Sequence, residues 1–180
     1  MSGQSYNINE LQRSGDIWYS YHHHGKFSST SAETTLQSIN SSYERAATML
    51  KRCQRLIITF GTAYAYRLRN SGETVANCHK QHQSLFSREM LSIEEIVERY
   101  APLMEGVLAG KKVIMTVSPI RHLSDGLEAN SLSKAILRVA INKLVERYDN
   151  VHYFPSFELL NDDLRDYRFY GDDMTHPSTV

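Results

Sequence analysis

The chain has 180 residues, with 41% hydrophobic and 22% charged positions, enough for one ordinary globular domain and outside the disordered range. Its 20 basic and 20 acidic residues cancel to a formal charge of +0. No basic footprint for nucleic acid or an anionic membrane surface is present, and the longest apolar runs are about strand length, so nothing spans a bilayer. Cys53 and Cys78, the two cysteines, form no CxxC pattern, and the opening "MSGQSYNINE" is polar and unlike a signal peptide. The cysteine usage fits a reducing compartment or a protein indifferent to redox, and a cytoplasmic setting is expected.

Residues 1–30 are rich in Ser, Gly, Tyr and His without a clear period. They read as an irregular segment packed on the domain through Ile17, Trp18 and Phe27. Residues 31–180 read as the domain itself. Thr30 and Glu33 are spaced as a capping box. Leu36, Ile39, Tyr43, Ala47 and Leu50 then recur at helical spacing to about Arg52. "LIITF" (56–60) is a short apolar run ending at Gly61, the pattern of a buried strand. "AYAYRLRNSGETVANC" alternates around Asn70-Ser71-Gly72 and predicts a hairpin.

A second capping box, Ser92 to Glu95, opens a helix. Its buried side would hold Ile93, Ile96, Val97, Tyr100, Leu103, Met104 and Val107, with a kink at Pro102. "KVIMTVSP" (112–119) is the next buried strand. A helix over about Ser131–Tyr148 follows, with Leu132, Ile136, Val139 and Leu144 inside. "VHYFPSF" (151–157) gives a third strand and "ELLNDDLRD" a short helix. Alternating helices and strands call for a parallel sheet with crossover helices. Three strands make a thin sheet, and the chain stops just after Pro177, where a closing helix would begin. The sequence therefore reads as a fragment, incomplete at both ends.

In open parallel sheets, ligands bind outside the carboxyl ends of the strands. "FGTAY", "SPIRHL" and "DDMTHPS" all fall at such ends. Asp173 and His176 form a DxxH step. An aspartate can bond the imidazole Nδ1–H and leave Nε2 to take a proton from a nucleophile. Arg121 and His122 follow a strand end and could bind an anionic or carbonyl group, or pair with neighbouring acids. Asn130 and Lys134 lie one helical turn apart near the same edge, where Asn130 could cap the helix. Ser118 lacks a GxSxG elbow. Cys78, His79 and His82, and His22 to His24, lack paired CxxC or HxxxH elements, so no metal site is expected.

"ITFGTAYAYR", "VANCHK", "LSIEEIV", "TVSPIRHLSDGLEANSLSKAIL" and "YFPSFELLNDDLRDYRFYGDDMTHPS" together resemble the GSCFA-domain family, a bacterial branch of the SGNH-hydrolase superfamily. The resemblance runs from about Ile17 to the end. It implies a flavodoxin-like, three-layer α/β/α sandwich and hydrolysis of ester or acyl bonds without a cofactor. His176 would be the general base and Asp173 its orienting carboxylate. The family's Gly-Ser-Cys-Phe-Ala block, which would carry the nucleophile, does not occur in this sequence.

SGNH hydrolases carry Gly-x-Asn where this chain has Gly61-Thr62-Ala63, and loss of one oxyanion donor costs roughly a hundred- to a thousandfold in rate. Either Thr62 or Asn77 supplies a substitute, or the reaction differs from ordinary esterolysis. Gly61 and Thr62 would line the oxyanion side. His79, Lys80, Arg121, His122, Asn130 and Lys134 would shape the substrate mouth. The expected partner is a small-molecule or carbohydrate ester. An exposed strand edge would favour association of copies. The competing reading is a non-catalytic module that holds a glycan or acylated ligand in the same cleft.

Overall fold

The computed structural model describes residues 5–179. In chain order the first elements are β1 (Gln12–Ser14), β2 (Ile17–Tyr19), α1 (Ala32–Arg52) and β3 (Arg55–Phe60). Next come β4 (Tyr64–Leu68), β5 (Thr74–Val75), β6 (Phe86–Met90) and α2 (Ile93–Glu105). The last are β7 (Lys112–Val117), α3 (Leu127–Arg147), β8 (Val151–Tyr153) and a single turn, α4 (Ser156–Glu158). The chain divides into two compact units. One gathers Met1–Cys53 and Ala65–Glu89, the other Gln54–Tyr64 and Met90–Val180. The chain crosses between these units three times, after Cys53, Tyr64 and Glu89.

In the first unit, β1 and β2 form an antiparallel hairpin in a segment expected to be irregular. Gly15 makes its turn at a φ of +57°, a conformation open to glycine at little cost. The strands are too short, and β1 too exposed, to show alternation. The N-cap of α1 is Ser31, one residue beyond the expected Thr30. Its hydroxyl accepts from Thr34 N at 3.1 Å and donates to Glu33 at 2.8 Å. Ala32 and Ile39 bury against Leu11, with Tyr6, Trp18, Phe27 and Leu36 packed around them. Ile17, expected as an anchor, is 43% exposed. The hairpin around Asn70-Ser71-Gly72 forms as β4 and β5, with Tyr66 opposite Val75, and β6 joins on the far side of β4.

In the second unit, β3, β7 and β8 form a parallel sheet in that order, with β7 central. Register places Ile58, Met115 and Tyr153 side by side. Val113, Met115, Val117 and Val151 are buried, and α3 packs on β7, β8 and α2. The capping box of α2 forms as spelled, Ser92 accepting from Glu95 N and Glu95 from Ser92 N. Its buried residues are Ile96, Ala101 and Met104, with Tyr100 partly buried and Leu103 exposed.

The register of α3 differs from expectation. Leu132 and Val139 are exposed, whereas Ser133, Lys134, Leu137, Ala140, Ile141 and Leu144 face inward. A pattern reading puts Ser and Lys outside; here both have partners inside, described below. The third strand is shorter than expected. After Tyr153, Pro155 cannot donate to a ladder, and Ser156 begins α4.

The opposite sheet face carries Ile57, Ile114 and His152 in register. Ile57 is 68% exposed. Parallel sheets usually bury both faces. Among the described residues of this unit the third layer of the expected sandwich is therefore not in place. No helix of the described residues is long and apolar enough to cross a membrane.

Truncating Leu144, fully buried, to alanine should cost about 2–5 kcal/mol, and Leu132→Ala less than about 0.5 kcal/mol, by urea denaturation. Comparable losses at both positions would put Leu132 back on the core face.

Candidate active site

Strand β3 ends at Phe60 and β7 at Val117, so Gly61 and Ser118 lead the chain out of the carboxyl edge of the sheet. Ser118 N donates to Phe60 O at 2.8 Å, the last rung between the two strands. Beyond it, α3 takes over the joining. Lys134 Nζ donates to Gly61 O at 2.5 Å and to Ser118 O at 2.7 Å, with the residue 2% exposed. Burial pushes its pKa down to about 8. Ser133 Oγ accepts Ala63 N at 2.7 Å and meets Thr62 Oγ1 at 3.0 Å. Asn130 Oδ1 accepts His122 N at 3.0 Å. Positions 130, 133 and 134 share one face of a helix. One stretch of α3 therefore fixes the exits of both strands.

Within that frame, a Cβ built on Gly61 would meet His122 Nε2 at 3.7 Å, so the imidazole lies over the glycine. His122 Nε2 is buried and makes no hydrogen bond among the described residues. Thr62 Oγ1 also accepts Tyr64 N at 3.2 Å, so the hydroxyl is engaged within its own turn. The peptide N–H groups of Gly61 and Thr62 find no acceptor among the described residues.

The Asp173–His176 step sits in a closed loop. Gly171 N donates to His176 O at 2.8 Å, Met174 N to Gly171 O at 2.9 Å, and Ser178 N to Phe169 O at 2.8 Å. Asp173 Oδ1 accepts the backbone N–H of Thr175 and of His176, and Oδ2 lies 2.6 Å from His176 Nδ1. The His176 N–H, the imidazole and the Thr175 N–H, in that order, hold the Asp173 carboxyl down at about 2. An ionised carboxylate only accepts, so Nδ1 carries a proton, and in the neutral ring that tautomer puts the lone pair on Nε2. Nε2 has no partner among the described residues, and the side chain is 60% exposed. The loop hangs on the exit of β7: Arg121 N donates to Thr175 O at 3.3 Å and its Nη1 to Met174 O at 3.4 Å.

The second unit thus gathers Gly61, Thr62, Arg121, His122, Asn130, Lys134, Asp173 and His176. Two of these differ from their expected roles in position. The Lys134 ammonium is spent on two carbonyls inside rather than facing a substrate mouth. Asn130 lies inside α3, which begins at Leu127, and so holds the His122 loop instead of capping the helix. Asn77, His79 and Lys80 belong to the first unit. There Asn77 Oδ1 accepts His79 N at 2.8 Å, and His79 and Lys80 adopt left-handed φ values of +49° and +56°. His79 Nε2 lies 2.8 Å from Ser20 O and 3.0 Å from His23 O, so that ring ties two turns together.

His22 Nε2 faces Glu73 at 3.1 Å, and His24 Nδ1 accepts Lys26 N. The His22 and His24 rings are thus engaged separately. Among the described residues, no three His, Cys, Asp or Glu side chains gather as a metal site would require. Ser133 escaped the sequence reading. The signal was the Asn130, Ser133, Lys134 stripe at helical spacing.

By its fold the second unit is of the α/β class, a three-stranded parallel sheet with an Asp–His pair on a loop tied to the exit of β7. The GSCFA family matches the chain over residues 1–180, and the chain belongs to that family. No curated protein and no solved structure matches it.

The buried Lys134 leads to a pH test. Its folded pKa, about 8, lies below the ordinary lysine value of about 10.4, so the unfolded chain holds the extra proton between those limits. Stability due to Lys134 should therefore rise with pH over that window. Urea denaturation at pH 7.5 and pH 10 should show wild type gaining on Lys134→Met by about 1–3 kcal/mol. A constant difference would mean the ammonium is as well solvated as in water.

Proposed function

We propose that this chain is the base-bearing part of an SGNH-like hydrolase that cleaves ester or acyl bonds. The observation that carries the reading is the 2.6 Å contact between Asp173 Oδ2 and His176 Nδ1, which leaves Nε2 unpartnered. His176 would take the proton from a nucleophile and return it to the leaving group, and Asp173 would hold the productive tautomer and stabilise the imidazolium. The free N–H groups of Gly61 and Thr62 are the donors this chain offers to an oxyanion in place of the missing asparagine amide. Ala63 N is no donor for it, since Ser133 holds it.

The nucleophile, on this reading, comes from a Gly-Ser-Cys block on a strand that adds beside β3. Support comes from β3 itself, an edge strand among the described residues, with Ile57 uncovered. That strand and its following helix would complete the three-layer sandwich. Ser118 is a poor alternative, being buried with its Oγ accepting Ile120 N at 3.3 Å. The substrate would be a small-molecule or carbohydrate ester.

A binding module on the same fold is the second reading. The Ala63 departure favours it, because the side-chain amide donor of an esterase is lost there.

Covalent labelling with a fluorophosphonate and with iodoacetamide, read by mass spectrometry, separates the two. A chain extended N-terminally by a GSCFA block should label at its Ser or Cys. His176→Ala should abolish that labelling, and the unextended chain should carry no label at an activated residue. Labelling of the unextended chain at Ser118 or Cys78 would overturn the assignment of the nucleophile. No labelling in either would favour the binding module.

A further inference from the structure

Beside the Asp173–His176 loop lies a cleft of about 180 Å³ between the exit of β7 and the turn after α4. Its walls carry two guanidinium groups, Arg121 and Arg165. Arg121 lies over the Tyr170 ring, its Cζ 3.8 Å from the centroid, and its one side-chain hydrogen bond among the described residues is the 3.4 Å contact to Met174 O. Stacking fixes the plane of the guanidinium and leaves most of its N–H groups available. Arg165 has no hydrogen-bond or ion-pair partner among the described residues, and its backbone is held at a φ of +32°, outside the regions a non-glycine residue favours.

One carboxylate reaches the same cleft, that of Asp166. It is already engaged, since Oδ1 accepts Arg168 N at 3.0 Å and Oδ2 lies 3.4 Å from Arg168 Nε. The remaining polar wall, Asn161, is likewise satisfied: its Oδ1 accepts the Tyr170 hydroxyl and its Nδ2 donates to Phe157 O. Asp162 and Asp163 do not line the cleft. The cleft therefore presents two unneutralised arginine forks beside a half-open aromatic wall, with Tyr167 70% exposed at the rim. Paired guanidinium donors match the two or three coplanar oxygens of an oxyanion.

We propose that this cleft is a subsite for an anionic group, a carboxylate or a phosphate, carried by the substrate. The proposal rests on the hydrolase reading for the word substrate, and on the cleft alone for the anion. Arg121 joins the two, because its backbone N–H and guanidinium hold the loop that bears His176. A bound anion would thus place its ester a short way from Nε2. It would also draw on a residue that steadies the base.

The test is an NMR titration of the 180-residue chain with ¹⁵N-labelled arginine, adding sodium acetate or sodium phosphate against sodium chloride at matched ionic strength. Saturable shifts of the Arg121 and Arg165 Nε–H signals, with Arg168 unmoved, are the expected result, and the salt that saturates first identifies the group. Arg165→Gln should weaken that binding about tenfold, the loss of one charge-assisted pair. Arg165→Lys should recover little, since a point charge does not replace the fork. His176→Gln should leave anion binding intact, so a failed hydrolase reading is told apart from a failed subsite. Shifts no larger than chloride produces, or spread evenly over the arginines, would overturn the proposal as simple screening. An unchanged affinity in Arg165→Gln would overturn it too.

Discussion

A buried ammonium holds the carboxyl edge of this sheet together. Lys134 carries its charge to a place with 2% exposure and, among the described residues, no carboxylate partner, where two carbonyls, Gly61 O and Ser118 O, receive it. Burying a charge without an opposite charge is expensive, so the arrangement persists only if its geometry is well made. Both carbonyls belong to chain leaving parallel strands, where β3 and β7 can no longer bond each other. The ammonium continues the ladder by one step beyond the last backbone rung. Everything on that edge is then placed relative to it: the Gly61–Ala63 turn through Ser133, the His122 loop through Asn130, and the C-terminal loop through Arg121.

That frame explains how an exposed loop can hold an Asp–His pair in a fixed geometry. Loops are mobile unless their backbone groups are satisfied, and this one is closed on itself and hung on Arg121. Asp173 does double duty, accepting two backbone N–H groups with one oxygen and the imidazole with the other. The same carboxylate shapes the turn and orients the ring. Arg121, which holds this loop, also lines the cleft that Arg165 shares.

The sequence showed some of this and hid the rest, for identifiable reasons. Runs such as "LIITF" and "KVIMTV" announce β3 and β7 because a parallel strand buries alternate side chains beside helices on at least one face. The Ser92–Glu95 box spells a helix start in local chemistry alone. Asp173 and His176 are readable because their contact is local, three residues apart. Long-range compensation was not readable. Leu132 and Val139 were expected inside α3 and are exposed, while Ser133 and Lys134 are inside, because their partners lie about 70 residues away at Gly61–Ala63. Hydrophobic periodicity assumes that polar groups seek water, and it fails where the backbone supplies the partners. The β1–β2 hairpin was hidden by its brevity, and the end of β8 by a proline read as part of the strand. Arg165 carries no pattern at all; its place beside Arg121 comes from the fold.

The most direct test of the account is the ring state of His176, read by ¹⁵N NMR of the imidazole in the neutral chain. The account requires the tautomer with a proton on Nδ1, held by Asp173, and a bare Nε2, with Asp173→Asn allowing the two tautomers to mix. A ring already protonated at Nε2, or a wild-type ring that mixes tautomers as freely as the Asp173→Asn variant, would contradict it. Then His176 would be an ordinary surface histidine beside an ordinary turn.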